Sequence, residues 1–183
     1  AMTFEDLGFS KIDLEREART GVPEVIFGMG KTKEQVQAIF SRLAAHHGRV
    51  LVTRATPQMA ELISERYPDA EFRPHSRMIR YGQPPVRYNG NIVVVSGGTS
   101  DMAVAEEAAD TAEWLGCEVE RIYDVGVAGI DRLLTQRERL YQANVVIAVA
   151  GMEGALPSVV GGLVRRPVIA VPTSVGYGAH LQG

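Results

Sequence analysis

The chain has 183 residues, 45% of them hydrophobic and 22% charged, the balance of a folded globular protein with room for one large domain or two small ones. Its net charge is −3 and its pI about 5.8, so it lacks the basic footprint of a protein whose main partner is a nucleic acid. A single cysteine, Cys117, excludes an intrachain disulfide and a Cys-rich zinc site, and a cytoplasmic setting is expected.

The first residues show no basic segment followed by an apolar run, so no signal peptide is expected. Residues 24–27 predict a short strand, followed by Gly28-Met29-Gly30-Lys31-Thr32. A helix is predicted over 33–46, with Val36, Ile39, Phe40 and Leu43 on one face and Gly48 as its stop. Residues 50–52 read as a strand. Thr56 and Pro57 open another helix as N-cap and first helical residue, ending near Tyr67-Pro68. The Gly-x-Gly-Lys run can hold an anion through its amides and Lys31, but so short a signal favours a structural turn with Thr32 as N-cap. His46-His47 at a helix end complements the helix dipole. Residues 73–80 contain three arginines and His75 and suggest a local basic patch that helps hold a dinucleotide. No pair of histidines has metal spacing, so no metal ligands are assigned. Gly82-Gln83-Pro84-Pro85 interrupts helix and strand alike and places a boundary between domains 1–85 and 86–183.

The second domain alternates strand and helix. Strands are predicted at 92–95, 119–123, 145–149 and 167–171. The first helix is capped by Ser100 or Asp101, reaches Leu115 and is closed by Gly116. The second covers 130–141, with Leu133, Leu134 and Leu140 inward, and the third starts at Pro157. The apolar run 145–164 contains Glu153, Pro157 and several glycines, so it reads as strand, loop and helix, and no membrane partner is expected. The alternation implies a parallel sheet between two helical layers, with ligands beyond the carboxyl ends of the strands.

Four loops lie at those ends. Gly97, Gly98, Thr99, Ser100 and Asp101 follow a strand and open a helix, which suits a phosphate cradle; the plainer reading is a tight turn with a helix cap. Asp124, Gly126 and Gly129 form a second loop, where small residues let a substrate lie against the backbone and Asp124 orients a polar group, or where the chain merely turns. In the third loop Glu153 lies between Gly151 and Gly154; it fits a general base or a ligand to a metal or hydroxyl, against a solvated loop residue. The fourth offers Ser174 as a hydroxyl and Tyr177 as a ring to stack on a base, or a Tyr packed at a domain edge. Cys117 follows a helix-ending glycine away from these loops and reads as structural.

Taken together, Ser96-Gly-Gly-Thr-Ser-Asp101, the segment 118–133, Ala150-Gly-Met-Glu-Gly-Ala-Leu-Pro-Ser-Val-Val160 and Val171-Pro-Thr-Ser-Val-Gly-Tyr-Gly178 resemble the LarB family of nickel-pincer cofactor biosynthesis. Pro23-Glu-Val-Ile-Phe-Gly28 and Gly30-Lys-Thr32 extend the resemblance over nearly the whole chain. It implies a small N-terminal α/β domain joined to a parallel three-layer α/β/α, flavodoxin-like domain similar to PurE, the aminoimidazole ribonucleotide (AIR) carboxylase or mutase. The implied reaction carboxylates the pyridinium ring of nicotinic acid adenine dinucleotide and hydrolyses its phosphoanhydride. Carbon dioxide is co-substrate, magnesium assists, and the products are pyridinium-3,5-biscarboxylic acid mononucleotide and AMP. Asp124 and Glu153 are then the catalytic candidates, the other loop residues bind substrate, and a homo-oligomer is expected. PurE carries Gly-Ser-x-Ser-Asp where this chain has residues 97–101, but its catalytic histidine falls at Val127, which argues for the LarB branch. The thiolate that LarB chemistry adds to the ring belongs downstream of the Val175-Gly-Tyr-Gly178 motif, so the second domain is expected to be truncated at its C-terminus. The alternatives are a PurE-type carboxylase of purine biosynthesis and a nucleotide-binding module without catalysis.

Overall fold

One hydrophobic core precedes the Pro84-Pro85 break in the chain and two follow it. The computed structural model describes residues 4–151 and 154–174 and divides into units spanning 1–85 and 86–183.

In the first unit, β1 (Glu5–Asp6) and β2 (Lys11–Ile12) pair antiparallel and lead into α1 (Arg16–Thr20). The chain continues through β3 (Ile26–Phe27), α2 (Lys33–His47), β4 (Val50–Thr53), α3 (Pro57–Ser64), β5 (Glu71–Arg73) and β6 (Met78–Tyr81). These strands form a sheet in the order β3-β4-β6-β5, with β3 and β4 parallel and the other pairs antiparallel. Thr32 starts α2 reciprocally: its hydroxyl accepts from the Gln35 amide at 3.2 Å, while the Gln35 side chain accepts from the Thr32 amide at 3.0 Å. Gly48, at φ 68°, ends the helix with its amide donating to the Ala44 carbonyl. The predicted apolar face of α2 is buried against Val50 and Val52 of β4.

Lys31 donates to the Phe27 carbonyl at 2.7 Å, so its charge serves the turn before α2. The 73–80 stretch lies in a β-hairpin that leaves His75 and Arg77 exposed at the turn and pairs two of its arginines, Arg73 and Arg80 each donating to Glu71 at 2.8 Å. Both guanidinium groups, Arg80 foremost, hold the Glu71 carboxyl below its usual range. Glu17 similarly ties two nearly buried groups, meeting His47 Nδ1 at 2.9 Å and Arg49 Nη2 at 2.8 Å.

The second unit contains β7 (Asn91–Ser96), α4 (Met102–Trp114), β8 (Glu118–Ile122), α5 (Ile130–Leu134), α6 (Arg137–Gln142), β9 (Val145–Ala150), α7 (Ala155–Leu163) and β10 (Val168–Pro172). All strand pairs are parallel, in the order β10-β9-β7-β8. Counted within the unit this is 2-1-3-4, the flavodoxin-like order. On one face Val94 and Val149 meet Ala105 and Ala109 of α4; on the other Val93, Val95 and Ala148 meet Leu133, Leu140, Leu156 and Val160. Full burial of each such Val or Leu contributes about 1.5–3 kcal/mol before chain entropy is counted.

The expected helix over 130–141 is two helices. Thr135 donates its hydroxyl proton to the Arg132 carbonyl at 2.8 Å, and Gln136 at φ −97°, ψ 4° interrupts the spiral. Leu134, expected inward, is 39% exposed, because residues adjacent on a helix point about 100° apart and Leu133 takes the buried position. Among the described residues no helix is long and apolar enough to cross a membrane.

Two glycines of the first unit share a left-handed backbone but differ in surroundings. At Gly82 (φ 76°) an added Cβ would stand 2.2 Å from the Gly48 carbonyl oxygen, whereas at Gly30 (φ 78°) it would meet nothing within 4 Å. Gly82→Ala is expected to cost about 3 kcal/mol and Gly30→Ala about 1 kcal/mol. Urea unfolding of the two variants checks this; equal losses would remove the clash argument.

Candidate functional site

In the second unit the strand order reverses between β7 and β9, so the chain leaves these neighbours toward opposite faces and opens a crevice at their carboxyl ends. A pocket of about 270 Å³ lies there. The loop after β7 gives it Gly97, Gly98, Ser100 and Asp101; the segment after β8 gives Asp124, Gly126, Val127, Ala128 and Arg132; β9 and its loop give Ala150 and Gly151, and α7 gives Ala155 and Leu156.

Residues 97–101 form a tight turn and a 3-10 turn, Thr99–Asp101, before α4 begins. The Asp101 side chain does not cap α4, as expected from sequence, but reaches backward. Its Oδ2 accepts from the Gly98 amide at 3.0 Å, and its Oδ1 accepts from the Thr173 hydroxyl at 2.6 Å. Asp101 and Thr173 are both buried, so these bonds form away from competing water. The amides of Thr99 and Ser100 have no acceptor among the described residues. They precede a helix of thirteen residues, so peptide dipoles and open N–H donors coincide. The tight-turn reading holds: Asp101 closes the turn, and the Thr99 and Ser100 amides within it have no acceptor among the described residues.

The second loop packs directly on the first. The Val125 amide donates to the Ser96 carbonyl at 3.0 Å, and a Cβ on Gly126 would stand 2.6 Å from the Gly97 carbonyl oxygen. Asp124 has φ 56°, a left-handed conformation that Asp tolerates better than most residues. Its Oδ2 meets Arg132 Nη1 at 2.8 Å, with both side chains about half exposed. Tyr123, just before it, is pushed above the usual phenol range by burial and by the Glu106 carboxylate nearby.

Gly151 lines the pocket, and its carbonyl accepts from the Gly154 amide at 3.0 Å. Gly154, at φ 63°, opens α7, and Gly129 lies beside the Arg132 guanidinium. Ser174 is exposed just past β10. Glu153 and Tyr177 lie outside the described residues. Cys117 precedes β8, at the end of the sheet away from the pocket, roughly 17 Å of strand from the loop carrying Asp124. Among the described residues no three His, Cys, Asp or Glu side chains cluster for a metal, and both oxygens of Asp101 are engaged.

Two residues of the site were missed from sequence. Thr173 reads from sequence as no more than one hydroxyl of the fourth loop, since its role depends on a carboxylate 72 residues away. Arg132 stands in the sequence only as part of the 118–133 motif, with no local pattern that assigns it a role.

The family model for the LarB/PurE-like N-terminal domain matches residues 4–83, and that for AIR carboxylase matches 91–182. An uncharacterised protein of Methanocaldococcus jannaschii is 38% identical over 181 residues, covering 93% of this chain and 70% of its own length. The N5-carboxyaminoimidazole ribonucleotide mutase of the same organism is 37% identical over 84 residues, covering 44% of this chain and 51% of its own.

Thr173→Val leaves a buried carboxylate oxygen without its donor and is expected to cost about 2 kcal/mol, while Thr173→Ser retains the bond and most of the stability. Urea midpoints of the two variants test this, and a Val variant as stable as the Ser variant would show that the tether contributes nothing.

Proposed function

Because the chain belongs to the LarB family and carries a PurE-like AIR carboxylase domain, we propose that it carboxylates the pyridinium ring of nicotinic acid adenine dinucleotide and cleaves the phosphoanhydride, giving pyridinium-3,5-biscarboxylic acid mononucleotide and AMP. The observation that carries the nucleotide reading is the loop 97–101 at the switch point, with two open amides at the start of α4 beside a floor made of glycine. A phosphate there meets preset donors that need no rearrangement. Gly97, Gly98, Gly126 and Gly151 keep the walls low enough for a flat ring to lie on the backbone.

The ring is an electron sink that needs a nucleophile added before it attacks carbon dioxide. Cys117 does not supply it from the far end of β8. The described residues bind and orient: Asp101 fixes the phosphate loop, and Asp124 holds Arg132 at the pocket wall. Glu153 is the proposed base. A cytoplasmic homo-oligomer belongs to the same proposal; a monomer by analytical ultracentrifugation at assay concentration would remove the oligomer.

The mutase relative supports a second reading, AIR carboxylation or mutation in purine biosynthesis. Against it stands Val127, which lines the pocket where PurE places its proton-transferring histidine and has no group to move a proton.

Calorimetric titration with nicotinic acid adenine dinucleotide and with AIR, each with magnesium, separates the two. Selective binding of the dinucleotide is expected. Selective binding of AIR would overturn the reading and move the chain to the purine branch.

A further inference from the structure

Arg132 is the one cationic side chain among the described residues of the pocket, which also holds the carboxylates of Asp101 and Asp124. Nη1 of its guanidinium is committed to Asp124 Oδ2 at 2.8 Å. Its Nε and Nη2 have no acceptor among the described residues. That edge lies against Gly129: a Cβ there would stand 2.7 Å from Nε and 3.0 Å from Nη2. Gly129 has φ −124°, which any residue adopts, so its missing side chain makes room for the guanidinium rather than freeing the backbone. One nitrogen is pinned, the other edge is open, and the space for it is cleared.

A phosphate has its own position at the amides of Thr99 and Ser100, on a different loop. The two loops touch where Gly126 meets Gly97, and Ser100 and Arg132 line one pocket. We infer that Arg132 determines specificity by receiving a carboxylate on the ring of the substrate. The free edge takes the planar carboxylate side-on through two parallel N–H···O bonds, the geometry that Arg supplies and Lys does not. Asp124 offsets the guanidinium charge when no ligand is bound and keeps its orientation when one is. This assignment rests on the pyridine-nucleotide reading and adds to it the residue that distinguishes an acid from an amide on the ring.

The test uses nicotinic acid mononucleotide and nicotinamide mononucleotide, which differ only in that group, titrated calorimetrically into the wild-type chain and into Arg132→Ala, Arg132→Lys and Gly129→Ala. The wild type is expected to bind the acid about ten- to a hundredfold tighter than the amide, the range of a charge-assisted pair. Arg132→Ala should bring the acid down to the level of the amide and leave the amide unchanged. Arg132→Lys should retain part of the preference. Gly129→Ala, which displaces the guanidinium without removing its charge, should narrow it. Equal weakening of both ligands by Arg132→Ala, or no change in either, overturns the assignment alone. A wild-type chain that binds neither mononucleotide overturns the pyridine-nucleotide reading and this assignment together.

Discussion

The Asp101 carboxylate joins the loops after two strands at the carboxyl end of the parallel sheet. One oxygen accepts from the Gly98 amide in the loop after β7, the other from the Thr173 hydroxyl just after β10. β7 and β10 are not neighbours, since β9 lies between them, so this bridge fixes loops that the strand ladder leaves independent. A bond to a carboxylate in a buried setting is stronger than the same bond in water, and losing either donor leaves an uncompensated oxygen. The amides of Thr99 and Ser100, without an acceptor among the described residues, depend on it, because Asp101 closes the turn that presents them.

The loops also hold each other backbone to backbone. Gly126 lies so close to the Gly97 carbonyl that any side chain would separate them, and the Val125 amide bonds to the Ser96 carbonyl. Rigidity here comes from missing atoms as much as from contacts. A site assembled this way binds with little reorganisation, which favours a ligand whose charge must be met at fixed points.

Behind the loops, α4 is anchored to the sheet by one cation. Arg121 on β8 bonds to Glu106, Asp110 and Glu113 along α4, with Asp110 almost wholly buried. Removing that arginine would take a shared cation from three carboxylates, so the cluster helps fix where α4 lies and hence where its N-terminus meets the pocket. The first unit uses the same device, with Glu17 holding Arg49 and His47.

The sequence by itself determined the strand and helix alternation of residues 86–183, the apolar face of α2 with its Thr32 cap and Gly48 stop, and the flavodoxin-like resemblance, because each is written in local periodicity or in contiguous motifs. It also placed the candidate loops at the strand ends. It missed the β5–β6 hairpin, whose three- and four-residue strands are too short for a period to show and whose arginines suggested a basic patch. It made one helix of α5 and α6, since the break at Thr135-Gln136 rests on a side-chain bond and carries no Gly or Pro signal. Only the tertiary structure decided what the site residues do. Asp101, a helix-cap candidate in the sequence, bridges to Thr173, and Arg132, which the sequence carried only inside a motif, is a cation of the pocket, because both placements follow from how the order of the strands brings the loops together.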